Sequence, residues 1–148
     1  LYSLHPSKID KIRGQHFGII FQKTHLIKNL SVLENILAAM YFAGLKTNKQ
    51  KALDTLEQLN LSPEANKMPH MLSQGQAQRA AVARALINAP SIIFADEPTS
   101  SLDDKNADAV INKLIEHSSI LNAALVVSSH DGRLKTHFKN IYKLDPAK

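Results

Sequence analysis

The stretch SIIFADEP, residues 91–98, decides the fold. Pro90 closes a helical pattern just ahead of it, and the branched and aromatic run 91–95 reads as a buried strand terminating in Asp96 and Glu97. Acidic residues at the carboxyl end of such a strand lie where open α/β sheets gather their ligands. Asp96 suits a metal ion held through its water shell, and Glu97 suits the polarisation of an attacking water. An isolated acidic pair is as often only a solvated turn, so the weight falls on what surrounds it.

Two similar runs flank it. FGIIF, residues 17–21, reads as a buried strand with Gln22 at its mouth, and AALVV, residues 123–127, as another ending in Ser128, Ser129 and His130. Residues 140–144 offer a fourth. Between the first two strands the period changes. Leu33, Ile36, Leu37, Met40 and Tyr41 mark one amphipathic helix, and Ala52, Leu53, Leu56 and Leu59 mark a second, with a turn at Gly44 and 47–51. Residues 74–88 are apolar on several faces, as in a helix packed on more than one side. Ala107, Val110, Ile111, Leu114 and Ile115 define a further helix, with Ser101 and Asp104 at capping-box spacing ahead of it. Strand, helices, strand, helix, strand is the order of an open α/β sheet, and Gln22, Asp96, Glu97 and His130 all fall at its carboxyl edge.

LSQGQAQR, residues 72–79, opens a helix with Ser73 as N-cap and Gln76 at capping-box distance. Gly75 admits a ligand close to the backbone, and the helix N-terminus favours an anion. From capping alone, an ordinary well-capped helix ranks ahead of phosphate binding.

Composition narrows the partners. The 148 residues contain 44% apolar residues, enough for one compact domain or a large part of one. Cysteine is absent, which removes disulfides and thiolate metal sites and suits a reducing compartment. The longest nearly uninterrupted apolar stretch, 36–45, is far shorter than a bilayer span, and residues 1–8 carry no secretory pattern. A net charge of +5 leaves nucleic acid and anionic lipid open as partners. The basic residues are scattered and aromatics make up only 5%, which leaves little for base stacking and favours a plain basic surface. His5, His16, His25, His70, His117 and His137 lack metal-site spacing and read as surface or loop histidines.

Taken in order, FGIIFQ, LSQGQAQR, SIIFADEP, TSSLD (99–103) and VVSSHD (126–131) resemble the Q-loop, signature, Walker B strand, D-loop and switch histidine of ABC ATPase domains. The resemblance covers 17–131 and implies an α/β, P-loop NTPase-like fold with a mostly parallel sheet. It further implies a helical subdomain with the signature helix over about 23–89 and catalytic-core elements over 90–148. The implied activity is ATP hydrolysis with Mg²⁺ in a transporter subunit that powers a membrane partner. Glu97 is the implied general base for water, His130 the residue holding the γ-phosphate, and Gln22 a contact to Mg²⁺ and the attacking water. Asp96 supports Mg²⁺. Ser73, Gly75 and Gln76 reach the γ-phosphate of ATP bound mainly by an opposite subunit, while Ser101 and Asp103 connect the two sites. Gln74 stands where the commonest signature has Gly, which implies altered rather than absent function at this cofactor-binding turn.

The implied partners are a second ABC ATPase domain and transmembrane permease subunits, with no nucleic acid, on the inner face of the cell membrane. The stripe 33–41 is expected to be mostly core, with Met40 or Phe42 at the membrane partner's interface. HLIKNLSVLENILAAMYFAG (25–44) with ADEPTSSLD (95–103) looks most like the lipoprotein-release, macrolide-export and cell-division branch. None of the glycines 14, 18, 44, 75 and 132 precedes a lysine, so the Walker A phosphate loop is missing. With Leu rather than Met at position 1, the sequence is expected to begin inside a longer chain. Two other readings remain: a regulatory cassette without its own phosphate loop, and a soluble ABC-type ATPase of DNA repair. The second is disfavoured by the short helical stretch between Gln22 and Ser73, which has no heptads.

Overall fold

The computed structural model describes residues 5–100 and 102–143. Three strands, β1 (Phe17–Ile20), β2 (Ile92–Asp96) and β3 (Ala124–Ser128), form a parallel sheet in the order β1-β2-β3. Ile19 pairs with Phe94, and Phe94 with Val126. Among the described residues five α-helices accompany the sheet: α1 (Pro6–His16), α2 (Val32–Phe42), α3 (Lys49–Gln58), α4 (Gln74–Leu86) and α5 (Asp104–Ile120). No helix among the described residues is long and apolar enough to cross a membrane.

Strand alternation sorts the sheet into two unlike faces. Gly18, Ile20, Ile93 and Ala95 are buried against the helical side. Gly18 lies so close to α4 that a Cβ there would stand 2.7 Å from the Ala85 carbonyl oxygen and 3.1 Å from Pro90 Cγ. The opposite face carries Ile19, Phe94 and Val126 side by side at 39%, 40% and 50% exposure, with the Phe17 ring edge-on to Phe94 at 5.9 Å. The apolar runs therefore form strands as expected, but β1 and β2 are buried on one face only and β3 is half-buried on that face, because the helices that cover the sheet among the described residues pack on one side.

The same core continues between α2, α3 and the chain leading into α4 through Val32, Ile36, Leu56, Leu59 and Leu61. Ser31 and Glu34 make a reciprocal capping box at the start of α2. The next free amides of that helix, Val32 and Leu33, donate to the carbonyls of Lys67 (3.0 Å) and Ala65 (2.9 Å), which ties the loop before the signature to α2. Asn35, 1% exposed, binds the loop on the other side. Its Oδ1 accepts from Ile27 N (2.7 Å), and its Nδ2 faces the carbonyls of Ile27, Leu30 and Ser31 at 2.9–3.1 Å.

Several expectations are corrected. Met40, offered as an interface residue, is core at 4% exposure, whereas Tyr41, read as part of the core stripe, points outward with Phe42. Residues 49–51, read as turn, already belong to α3, where Asn48 caps the Lys51 amide. Residues 140–143 form no strand; no neighbouring edge pairs with them. Position 144 lies outside the described residues. Helix α1 had no counterpart in the sequence reading. It starts with Pro6 at its first turn, and its end is held by Gln15 Nε2 donating to the Ala43 carbonyl (2.9 Å) and Asn88 Nδ2 donating to the Gly14 carbonyl (2.8 Å). Those contacts join residues far apart in sequence, so periodicity along 6–16 carries little of the signal.

Candidate functional site

The carboxyl edge of the sheet places Glu97 just beyond β2. Its backbone turns into the left-handed region (φ +46°) while its amide donates to the Ser128 carbonyl at 2.8 Å, so pairing with β3 continues one residue past the strand. That turn aims the carboxylate at the loop after β3. Oε1 accepts from the His130 amide (2.9 Å) and from His130 Nδ1 (2.7 Å), and Oε2 accepts from Ser129 Oγ (2.9 Å). A carboxylate oxygen only accepts, so the His130 proton sits on Nδ1, and Nε2 donates outward only when the ring is imidazolium.

Burial pushes the Glu97 carboxyl up, but the hydrogen bonds from the His130 ring and amide and from Ser129 outweigh it and hold the group below its ordinary value. Glu97 is 17% exposed and His130 84%, so the pair joins an inner carboxylate to an outward ring.

The loops after β2 and β3 are stapled a second time. Buried Thr99 donates through Oγ1 to Asp131 Oδ2 (3.2 Å), and the Arg133 guanidinium grips the same carboxylate from 2.6 Å. Arg133 holds Asp131 well below the usual carboxylate range. Asp96 ends β2 opposite Ser128 with its side chain exposed. Gln22 lies exposed in the bend two residues beyond Ile20, the last residue of β1.

The signature turn forms a separate group. Ser73 caps α4, its Oγ accepting from Gln76 N (3.3 Å), and Gln76 Oε1 accepts from Ser73 N (2.8 Å). Gln76 Nε2 donates to the buried carboxylate of Glu64 at 3.0 Å. Both ends of the Gln76 amide are thus engaged within the chain. Its side chain braces the turn, and the part of this turn left for an anion is the backbone together with Ser73 and Gly75. Ser73, Gln74, Gly75, Gln76 and Asp103 line one cavity of about 300 Å³, with Arg79 at its wall. Glu97 and His130 do not line it. Ser101 lies outside the described residues.

Sequence reasoning missed Glu64, Ser129 and Arg79. Ser129 had a signal, since it stands next to His130 at the end of a strand, whereas Glu64 is brought to Gln76 across twelve residues by the turn Ser62–Glu64.

A larger cavity of about 770 Å³ opens beyond β1, lined by Lys23, His25, Leu26, Lys28, Met68 and His70 among others. Its floor is fixed by Arg84, whose guanidinium donates to the carbonyls of His25 (2.6 Å) and Thr24 (2.9 Å).

A parallel sheet with an acid, a carboxylate–histidine pair and a glutamine at its carboxyl edge, together with a capped signature helix, defines an α/β protein of the P-loop NTPase type. The chain belongs to the ABC transporter family, whose model, described as "ABC transporter", matches residues 3–100. It is 40% identical over 135 residues to the lipoprotein-releasing system ATP-binding protein LolD of Buchnera aphidicola subsp. Schizaphis graminum, covering 90% of this chain and 59% of that protein. It is 39% identical to LolD of Treponema denticola, covering 97% of this chain and 65% of that one. To the macrolide export ATP-binding/permease protein MacB of Burkholderia thailandensis it is 37% identical, covering 95% of this chain and 22% of that one. The chain thus spans about three-fifths of the LolD proteins it matches. Among solved structures, the dimeric bacterial ABC transporter cassette MJ0796 superposes with a TM-score of 0.79 at 35% identity, covering 88% of this chain and 59% of that one. A post-hydrolysis dimer of the same cassette bound to ADP and Pi gives 0.76, covering 89% and 60%. These relatives agree with the branch expected from residues 25–44 and 95–103.

Proposed function

We propose that this chain is the signature-bearing and catalytic part of an ATP-hydrolysing ABC subunit that powers a membrane partner. The observation that carries the reading is Glu97 held by His130 and Ser129 at the end of β2. In this reading Glu97 accepts the proton of the attacking water, and its lowered pKa keeps it ionised for that role. His130 and Ser129 take three of the carboxylate's four acceptor sites, which leaves one lone pair on Oε2 for the water. His130, with Nδ1 on Glu97, leaves Nε2 for the γ-phosphate.

Asp96 and Gln22 would hold Mg²⁺, which supplies charge neutralisation of the phosphates when bound. The fit is chemical: an exposed carboxylate and an amide oxygen are hard oxygen donors, suited to a Mg²⁺ ion that keeps several of its waters. Ser73, Gly75 and Gln74 would face ATP held mainly by a second cassette, with Gln76 keeping the turn in shape. Asp103, on the wall of the same cavity, and Ser101 would link the paired sites.

The subunit would act as a dimer on the inner face of the cell membrane, docked to transmembrane permease subunits. The basic cavity of Lys23, His25, Lys28 and His70 beside the end of β1 suits an acidic segment of such a subunit. Because the sequence holds no Gly-Lys dipeptide, this chain by itself is expected neither to bind ATP tightly nor to turn it over. The alternative of a regulatory cassette is weakened by the intact Glu97–His130 pair, which such a cassette does not need.

The test is Mg²⁺-dependent ATP hydrolysis by the longest natural form of the protein, with and without Glu97→Gln, beside the 148-residue chain. Activity in the long form that disappears with Glu97→Gln supports the reading. No activity in the long form moves it to a regulatory cassette, and turnover by the short chain refutes the need for a phosphate loop.

A further inference from the structure

An acid from the preceding loop fastens the signature turn in place. Among the described residues, the donation from Gln76 Nε2 to Glu64 Oε1 (3.0 Å) is the hydrogen bond that ties residues 73–76 to a neighbouring element. Ser73 and Gln74 are exposed, so packing holds them weakly. The other bonds of the turn are internal: Gln76 N donates to Ser73 Oγ, Ser73 N donates to Gln76 Oε1, and Ala77 N reaches the Ser73 carbonyl at 2.9 Å. These bonds fix the shape of the turn without fixing its place. The amides of Gln74 and Gly75, at the start of α4, are left to face outward, and the Ser73 hydroxyl keeps its own proton to donate.

Glu64 stands on a stiff base. It is 8% exposed, its amide donates to the Leu61 carbonyl (3.0 Å), and its carbonyl accepts from Lys67 N (2.9 Å). The carbonyls of Ala65 and Lys67 in turn take the first amides of α2, and Lys67 Nζ stands 3.4 Å from Glu64 Oε1. The carboxylate therefore offers a fixed point twelve residues away from the side chain it holds. It does not line the cavity of Ser73, Gln74 and Gly75, so it acts on that cavity only through Gln76.

We propose, resting on the reading that this turn serves ATP held by a second cassette, that Glu64 is a positioning residue: through Gln76 it sets where the turn stands when it meets that nucleotide. Donors displaced by about 1 Å from an oxygen lose most of their hydrogen bond, and a contact between two chains is stronger when its groups are ordered before they meet. A turn with a fixed shape but a loose seat would present the right amides in the wrong place.

The experiment uses the longest natural form of the protein carrying Glu97→Gln, which stops turnover and lets ATP persist. Sedimentation velocity follows dimer formation with Mg²⁺ and ATP. A fluorescent ATP analogue, at protein concentrations too low for a dimer, reports the affinity of one chain for nucleotide. Re-ordering a loosened side chain weakens association about fivefold. A twofold dimer does so at both turns, so Glu64→Ala is expected to raise the dimer Kd about tenfold or more while single-chain affinity stays the same. Gln76→Glu, which keeps the capping oxygen but sets two carboxylates face to face, is expected to weaken the dimer likewise; folding of both variants is checked by circular dichroism. Glu64→Gln keeps an oxygen for Gln76 Nε2 and is expected to stay within about threefold of the parent. Unchanged dimer formation by Glu64→Ala or Gln76→Glu, an equal loss of single-chain affinity, or the same weakening by Glu64→Gln overturns the proposal. A parent that forms no ATP-dependent dimer overturns the reading of the turn along with it, an outcome distinct from a parent that dimerises and is matched by Glu64→Ala.

Discussion

Replacing Asn35 with alanine should free residues 27–31 from α2, while Arg84 still holds the carbonyls of Thr24 and His25. Asn35 is the only described side chain that ties both the amide and the carbonyl of Ile27 to α2, and it also faces the carbonyls of Leu30 and Ser31. Its Nδ2 has two hydrogens for three carbonyls, so one of those bonds is shared and the side chain makes about three full hydrogen bonds. At about 1 kcal/mol each, with the Ile27 amide left unpaired, the loss comes to about 3 kcal/mol. In urea unfolding with a slope near 1.5 kcal/mol/M, that moves the midpoint down by about 2 M. Where the loop lets go before the rest of the chain, the urea shift is smaller, and exchange of the Ile27 amide speeds up about a hundredfold instead. A midpoint within about 0.3 M of the parent's, together with unchanged Ile27 exchange, would refute the view that this amide fastens residues 27–31 to α2.

Other substitutions probe the remaining contacts. Gly18→Ala drives a methyl group to within 2.7 Å of the Ala85 carbonyl, so thermal melting should show a loss of about 1–3 kcal/mol as β1 and α4 are pushed apart. Gln76→Ala removes one half of a capping box and leaves the buried Glu64 without its amide donor, for a loss of about 2 kcal/mol in urea unfolding. His117 is buried with Nε2 unpartnered, and burial lowers its pKa, so the unfolded chain takes up its proton first. Its contribution to stability is therefore intact above the unfolded value of about 6.5 and is lost as pH falls below it; His117→Leu should flatten stability measured from pH 7 to pH 5. His130→Ala removes the ring's hydrogen bond to Glu97 while the amide of residue 130 and Ser129 Oγ keep theirs, so the Glu97 carboxyl should titrate at higher pH by NMR, and an unmoved midpoint would deny the coupling to the ring.

The sheet and the polar residues at its carboxyl edge were legible in the sequence because each depends on short-range signals. Runs of branched residues stop at Gln22, Asp96 and His130, and the Ser73–Gln76 spacing is a local capping device that the structure reproduces bond for bond. What escaped notice depends on distant partners. Helix α1 is fixed by Ala43 and Asn88, Gln76 is braced by Glu64, and the outward turn of Tyr41 reflects how α2 sits on its neighbours rather than its own period. Strand burial was overread for a related reason: an apolar run reports affinity for an interior and does not say how many faces are covered.

The row Ile19, Phe94, Val126 is a strip of three apolar side chains in register, each close to half open to water. Apolar surface of that kind gains free energy when another layer covers it, so a segment or partner that packs there would stabilise the sheet from the side that its described helices leave open.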